Sequence, residues 1–406
     1  MKYVLVIGDG MADYPVPELG NLTPLQAAHK PNMDSIAAKG RSGLLRTVPD
    51  SLTPGSDTAI LRVLGYDPQR VCAGRGSLEA AARGITLKDD DVAYRCNFIT
   101  EKDGLLVDYS AGHISSNEAS KLIDALKVAL EKKGELEFFS GLDYRHLLVL
   151  RSFPYSKLIE CTPPHDAIGG EVAAILPRAK SEEAVQGADL LKETIQRSKS
   201  ILEVHPVNRA RQEAGKRVGN MIWLWGGGTK PVMASFKEKY GLSSAVISAV
   251  DLVKGIGSYA GMRVINVVGA TGLANTNYEG KADAALKALD KADFVFVHVE
   301  APDEAGHVKD YELKIKTIED LDKRLLGRIL RGLKESYAIA VLPDHPTPIR
   351  VGTHTSDPVP FAIQSPYIEA DGVQKFDEDS ARKGAFRLVE KESLVSLLIS
   401  SASRVQ

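Results

Sequence analysis

The 406-residue chain has little cysteine: Cys72, Cys96 and Cys161 are odd in number, widely spaced and form no Cys-x-x-Cys pair. That excludes a disulfide framework and a zinc ribbon, and leaves apolar thiols buried in a reducing cytosol. The chain has no excess of charge of either sign, since 51 basic against 53 acidic side chains leave a net charge of −2. Nucleic acid and anionic membrane are therefore poor main partners, although a local basic pocket stays open. No stretch approaches the roughly 18 apolar residues that a membrane helix needs. The apolar run behind Met1 is too short for a signal-peptide core and meets Asp9 at once. A cytoplasmic protein is expected, with no membrane, nucleic-acid or obligate protein partner. Internal repeats and low-complexity tracts are lacking too. What the chain does have is 44% apolar and 26% charged residues. That is the balance of a globular protein, long enough for two domains and a sizeable core.

The apolar pattern changes twice along the sequence. Residues 3–7 are a short β-branched run closed by Gly8-Asp9-Gly10, a buried strand ending in a loop. A helix over 32–39, a strand over 43–48 and a turn at 53–57 that opens a helix follow. From about 75 to 215 the reading is α+β, with strands at 92–100 and 144–150 and amphipathic helices at 115–132 and 188–202. From about 219 strand and helix alternate: strands at 221–224, 245–248, 264–268, 294–299 and 338–342, and helices at 231–240, 251–259, 281–289 and 311–334. Such alternation predicts a parallel sheet covered on both faces. The expected architecture is one α/β domain from both ends of the chain (1–75 and 215–406) with a smaller α+β domain (76–214) inserted.

Ligands of open α/β sheets bind at the carboxyl ends of the strands. Asp9 follows the first strand. Glu300, Asp303 and His307 follow 294–299, Asp344 and His345 follow 338–342, and His354 stands in the next loop. Singly each has a plain reading: a turn, a solvated helix face, a helix cap. Together they gather three of the nine histidines with three aspartates on one rim. Mixed Asp and His ligands suit Mn²⁺ or Zn²⁺ better than Ca²⁺. Six such ligands suit two ions rather than one, and paired ions roughly 3.5–4 Å apart are a common device for phosphoryl transfer. Ser56 sits where a glycine-bearing turn enters a helix. It reads either as an ordinary cap followed by first-turn Asp57, or as a nucleophile beside a helix N-terminus that favours phosphate. The metal rim tips the reading towards the nucleophile, because a bound metal lowers a hydroxyl's pKa.

Several segments occur in an order known from one family: Val-Ile-Gly-Asp-Gly-Met-Ala-Asp, Thr-Pro-Leu-Gln-Ala-Ala, Pro-Asn-Met-Asp, Pro-Gly-Ser-Asp-Thr-Ala, Leu-Gly-Tyr-Asp-Pro and Gly-Arg-Gly-Ser-Leu-Glu-Ala. Later come Asp-Leu-Val-Lys-Gly-Ile-Gly, Ala-Pro-Asp-Glu-Ala-Gly-His, Leu-Pro-Asp-His-Pro-Thr-Pro and Gly-Thr-His-Thr. In these the chain resembles the cofactor-independent phosphoglycerate mutases, archaeal type, of the alkaline phosphatase superfamily, over nearly its whole length. The resemblance implies an alkaline phosphatase-like metal domain whose inserted domain closes over the substrate, with hinges near 75 and 215. It implies two divalent ions, Mn²⁺ first, with Zn²⁺, Co²⁺ or Mg²⁺ as alternatives. One would be held by Asp303, His307 and His354, the other by Asp9, Ser56, Asp344 and His345. It further implies a phosphoserine at Ser56, interconversion of 3- and 2-phosphoglycerate in glycolysis and gluconeogenesis, and no need for bisphosphoglycerate. His113 would lie near the phosphoserine. Arg145, His146, His165, Asp166, Arg209 and Lys254 would contact substrate or carry protons, with Asp166 as general base. Ile60 and Arg62 depart from the small or polar residues that relatives often carry in the nucleophile helix. Rivals on the same metal core are phosphatases, phosphopentomutases, sulfatases (whose Cys/Ser-x-Pro-x-Arg motif is lacking) and a homoserine kinase-like branch. A metal-binding regulator without catalysis is the rival of another class, and the intact Ser56 speaks against it.

Overall fold

In the computed structural model of the chain, residues 1–71 and 74–402 are described. Cys72 lies outside them. Cys96 is a buried free thiol and Cys161 a half-buried one. The chain divides into two compact units, Met1–Cys72 with Val232–Gln406, and Ala73–Pro231.

The first unit opens with β1 (Lys2–Gly8) and β2 (Arg41–Leu45). The second carries β3 (Val92–Lys102), β4 (Leu105–Asp108), β5 (Leu136–Phe139), β6 (Arg145–Leu150), β7 (Ile159–Glu160), β8 (Arg178–Ala179) and β9 (Met221–Thr229). The first unit resumes with β10 (Ser244–Ile247), β11 (Arg263–Ile265), β12 (Phe294–Val299), β13 (Tyr337–Leu342), β14 (Val359–Gln364) and β15 (Arg387–Val389).

An eight-stranded sheet in the order β11-β10-β12-β1-β13-β14-β2-β15 forms the centre of the first unit. From β11 to β13 every pairing is parallel, and β14 alone runs against its neighbours. The reason is in the side chains. Val4 to Ile7, Phe294 to Val299 and Ala338 to Leu342 are unbroken apolar or buried runs, as a sheet covered on both faces requires. β1 lies between β12 and β13, with Tyr3 opposite Phe294 and Ala338. The carboxyl ends of these three strands therefore lie side by side. The helix expected over 311–334 runs from Tyr311 to Asp320, passes through a π turn at Leu321–Leu326 and resumes as Gly327–Gly332. The helix expected over 231–240 is only Phe236–Tyr240.

The second unit has an antiparallel sheet, β4-β3-β6-β5, with β9 also on β3. This corrects the boundary at 215 and the assignment of the strand at 221. β9 pairs with β3, Cys96 facing Leu224, and so belongs to the second unit, whose last residue is Pro231. An apolar run of this length fits either kind of sheet, and periodicity cannot choose between them. Leu122, Ile123 and Leu126 of helix Ser116–Leu130 share one core with Trp223, Leu224 and Phe98 of the sheet, and Leu191 and Ile195 of helix Val185–Leu202 join them. Among the described residues, no helix is long and apolar enough to cross a membrane.

Candidate metal centre

The three central strands deliver their ligands to one place. Asp9 leaves the end of β1, Asp303 and His307 lie on helix Ala301–His307 after β12, and Asp344 and His345 follow β13. His354 comes from the loop ahead of β14. Ser56 is the first residue of helix Ser56–Val63, whose N-cap is Gly55. It is therefore not the cap. Its Oγ lies 3.3 Å from Asp9 Oδ2 and 3.1 Å from His345 Nε2. His345 Nε2 is also 3.5 Å from Asp9 Oδ1 and 3.6 Å from Asp344 Oδ2. Asp303 Oδ2 is 3.1 Å from His307 Nε2, and its Oδ1 is 3.5 Å from His354 Nε2. The rings of His345 and His354 stack with centroids 4.0 Å apart, which joins the two halves of the centre. Asp303, His345 and His354 form one set of donor atoms within 4.8 Å of one another, and Asp9, His298 and Asp344 form another.

The electrostatics are those of anions crowded out of water. Burial, then the charges of Asp344 and Glu300, push Asp9 well above the ordinary carboxylate value. Burial, then the charges of Asp303 and Asp344, push Glu300 up to about 7. Asp344 stays low: burial raises it, but the charges of His345 and His298 outweigh that. Burial also raises Asp303, and His307 and His354 overcome it to hold the carboxylate far below its usual range. The hydrogen bond to Asp303 lifts His307 to about 9. Burial depresses His345. Asp9 Oδ1, Asp344 Oδ2 and Glu300 Oε2 are buried with no hydrogen-bond partner. A buried carboxylate oxygen without a partner is costly, and such groups pair or coordinate metals. The residues fit divalent cations: hard oxygens, imidazole nitrogens and unpartnered lone pairs converge in a site buried at Asp9, Asp303, Asp344 and His345 and open to water at His307 and His354.

Three supporting residues went unremarked in the sequence. His298, buried inside β12, puts Nε2 3.0 Å from Asp9 Oδ2. A histidine in an otherwise apolar strand is the trace it left. Thr347 hydrogen-bonds Asp303 through its hydroxyl. Lys314 is fully buried. Its Nζ donates to Asp13 Oδ2 at 2.7 Å, to the Thr347 carbonyl at 2.9 Å and to the Ala12 carbonyl at 3.3 Å, tying helix Tyr311–Asp320 to the loops that hold Asp9 and His345. Of the two departures, Ile60 is buried, and Arg62 donates to the Glu390 carbonyl. Lys254, on helix Asp251–Tyr259, lies 3.5 Å from Asp251.

The remaining expected contacts lie in the second unit. Edge-to-face ring contacts run from Trp225 to His165 (5.3 Å), Tyr109 (6.3 Å), Tyr144 (5.8 Å) and His113 (6.3 Å). The Arg145 guanidinium lies 5.3 Å over Tyr144, and that of Arg95 4.3 Å over Trp225. His113 ends three successive left-handed residues, Ala111, Gly112 and His113, at φ 52°, 64° and 49°. Non-glycine residues pay for that conformation. Arg211 holds the turn by donating to the Ala111 carbonyl at 2.8 Å. Asp166 is exposed, 3.6 Å from His165. Arg209 is exposed on helix Pro206–Glu213 and makes none of these contacts. His146 needs correction as a substrate contact. Neighbours in a strand face opposite ways, so Arg145 points out and His146 in. His146 is buried, packs on Phe98 at 4.9 Å and accepts the Gly141 N–H through Nδ1. Burial pushes it down to about 3, so it is a neutral core residue. Arg95 was missed, though a lone charge in the apolar run of β3 marked it.

An Asp and His centre suited to divalent cations, built beside a serine hydroxyl on a mostly parallel sheet, defines the class. Residues 37–208 match the family model described as 2,3-bisphosphoglycerate-independent phosphoglycerate mutase, and residues 177–347 match that of type I phosphodiesterase / nucleotide pyrophosphatase. The 2,3-bisphosphoglycerate-independent phosphoglycerate mutase of Methanosarcina mazei is 53% identical, over 99% of this chain and 100% of that protein. A probable one from Geobacter sulfurreducens is 49% identical, over 96% and 99%. The structure of the PH0037 protein from Pyrococcus horikoshii has a TM-score of 0.86 at 31% identity, covering 98% of this chain and 97% of that one. The cofactor-independent phosphoglycerate mutase from Thermoplasma acidophilum has a TM-score of 0.69 at 29% identity, covering 99% and 100%. The chain belongs to the 2,3-bisphosphoglycerate-independent phosphoglycerate mutase family. It is an enzyme with the fold of that family, a mostly parallel α/β unit made from both ends of the chain with a second unit between them in sequence.

Proposed function

We propose that this chain interconverts 3-phosphoglycerate and 2-phosphoglycerate without bisphosphoglycerate, through a phosphoserine at Ser56, in cytoplasmic glycolysis and gluconeogenesis. One observation carries the reading: Ser56 Oγ lies 3.3 Å from Asp9 and 3.1 Å from His345, beside the unpartnered oxygens of Asp9 and Asp344. Asp303, His307 and His354 would hold one divalent ion, and Asp9, Ser56, Asp344 and His345 the other, with Mn²⁺ as the first choice. Such ions, when bound, lower the serine's pKa and neutralise phosphate charge.

Ser56 Oγ attacks phosphorus in line, the bond to the 3-oxygen breaks, and glycerate is released with its 3-hydroxyl restored. The 2-hydroxyl then attacks the phosphoserine, its proton passing to a base, and Ser56 is regenerated. The N-terminus of helix Ser56–Val63 favours the phosphate dianion at that spot. His113, Arg145, His165, Arg209 and Lys254 are the proposed substrate contacts, with Asp166 as the base and His113 near the phosphoserine. The Arg145 guanidinium, held over the Tyr144 ring, offers a planar fork to a carboxylate.

The test gives the purified protein Mn²⁺ and 3-phosphoglycerate without bisphosphoglycerate and follows 2-phosphoglycerate through enolase. A second tube holds ATP and homoserine. Product in the first tube is expected, and turnover in the second alone would refute the mutase.

A further inference from the structure

His298 is buried at the carboxyl end of β12, and both ring nitrogens are engaged. The backbone N–H of Val250 donates to Ser248 Oγ at 3.0 Å. That fills an acceptor position on Ser248 and leaves its hydroxyl proton free to donate. The atom it faces is His298 Nδ1, 3.3 Å away. An imidazole that accepts at Nδ1 carries its proton on Nε2 when neutral, and Nε2 points at Asp9 Oδ2, 3.0 Å away. Glu300 Oε2, at 3.8 Å, is too far to compete for that proton. The strand end itself is held by buried Lys281, whose Nζ donates to the His298 carbonyl at 3.1 Å.

The consequence falls on Asp9. Its Oδ2 receives the imidazole N–H and lies 3.3 Å from Ser56 Oγ, while Oδ1 has no hydrogen-bond partner and faces His345 Nε2 at 3.5 Å. The two oxygens are thus distinguished, and one rotation of the carboxylate is fixed. We propose that Ser248 and His298 form a positioning pair that orients Asp9 for metal binding, and that His298 itself does not ligate the metal. The donor atoms of His298, Asp9 and Asp344 lie within 4.8 Å of one another, so proximity alone would make His298 a ligand. The hydrogen-bond direction argues otherwise, since a nitrogen that is donating a proton has no lone pair for a cation.

The proposal rests on the reading of Asp9 as a metal ligand, so its tests separate the two. Wild-type Mn²⁺ binding, by equilibrium dialysis, tests that reading alone. Ring-nitrogen NMR of labelled histidine in the metal-free protein tests the pair alone, and the His298 signal should be that of the Nε2–H form. Titration with Zn²⁺ should leave this proton in place, and its loss on binding would make His298 a ligand and overturn the proposal. Ser248→Ala and His298→Ala should each weaken Mn²⁺ binding by roughly 10-fold to 100-fold, the usual cost of losing a group that orients a ligand. His298→Gln, which keeps an N–H directed at Asp9, should restore most of that loss. A Gln variant as weak as the Ala variant would refute the positioning role. If the Ala variants fail to fold, the wild-type NMR result still decides.

Discussion

The two units of this chain collect their chemistry in different ways. In the first, a parallel sheet turns sequence order into position: whatever follows β1, β12 or β13 arrives at the same edge, because those strands are neighbours and point the same way. In the second, the antiparallel sheet has no such edge. His113, Arg145 and His165 come from a left-handed turn, a strand start and a 3₁₀ turn, and they meet only through the rings of Tyr109, Tyr144 and Trp225. The proposed nucleophile and metal ligands accordingly all lie in the first unit, and the proposed substrate contacts, Lys254 excepted, lie with the proposed base in the second.

Substitutions can break that division. Ser56→Ala should abolish mutase turnover, by roughly 10⁴-fold or more, as loss of a nucleophile does elsewhere. Metal content should fall only partly, and retained activity in the enolase-coupled assay would end the covalent mechanism. Asp344→Asn removes an anion from the buried set. It should weaken Mn²⁺ binding by more than roughly 100-fold, beyond the cost of losing an orienting group, as equilibrium dialysis would read. Arg145→Ala should raise the KM for 3-phosphoglycerate roughly 10-fold to 100-fold, the worth of a charged hydrogen bond, with metal content unchanged. If kcat and metal content fell instead, the division between units would be wrong.

Two smaller effects sharpen the contrast. His146→Leu, next to Arg145, should leave KM alone and cost about 1–3 kcal/mol of stability through the orphaned Gly141 N–H, as chemical denaturation would show. The metal-free protein should also respond to pH. The folded His307 value, about 9, lies above its ordinary 6.5. A raised value favours the protonated folded form, so this stabilisation is complete below 6.5 and is lost as pH rises through 9. Melting temperature without metal should fall across that window, while Mn²⁺, which needs the neutral imidazole, should flatten the profile.

The gathering of carboxylates and imidazoles on one rim was legible because strand-end position is a rule that a single sequence obeys. Asp9, Asp303, His307, Asp344, His345 and His354 each follow a strand or stand in the next loop. Less visible were residues whose role depends on a neighbour far along the chain. Nothing local announces that Lys314 serves Asp13, or that Ser248 faces His298. The boundary at 215 failed for the same reason, because pairing β9 with β3 is a choice made across more than a hundred residues. His146 failed for a nearer one: strand alternation beside Arg145 was available and would have turned its ring into the core.

Lys314 carries a further consequence. One ammonium, without access to water, joins a helix of the core to both loops of the rim. Opening the rim alone would strand a charge in a dry interior, at a cost of about 3–5 kcal/mol. Release of the proposed ions by local breathing is thereby discouraged. On heating, cations and tertiary structure should depart in a single cooperative step, so that the melting curve is also the curve of metal loss.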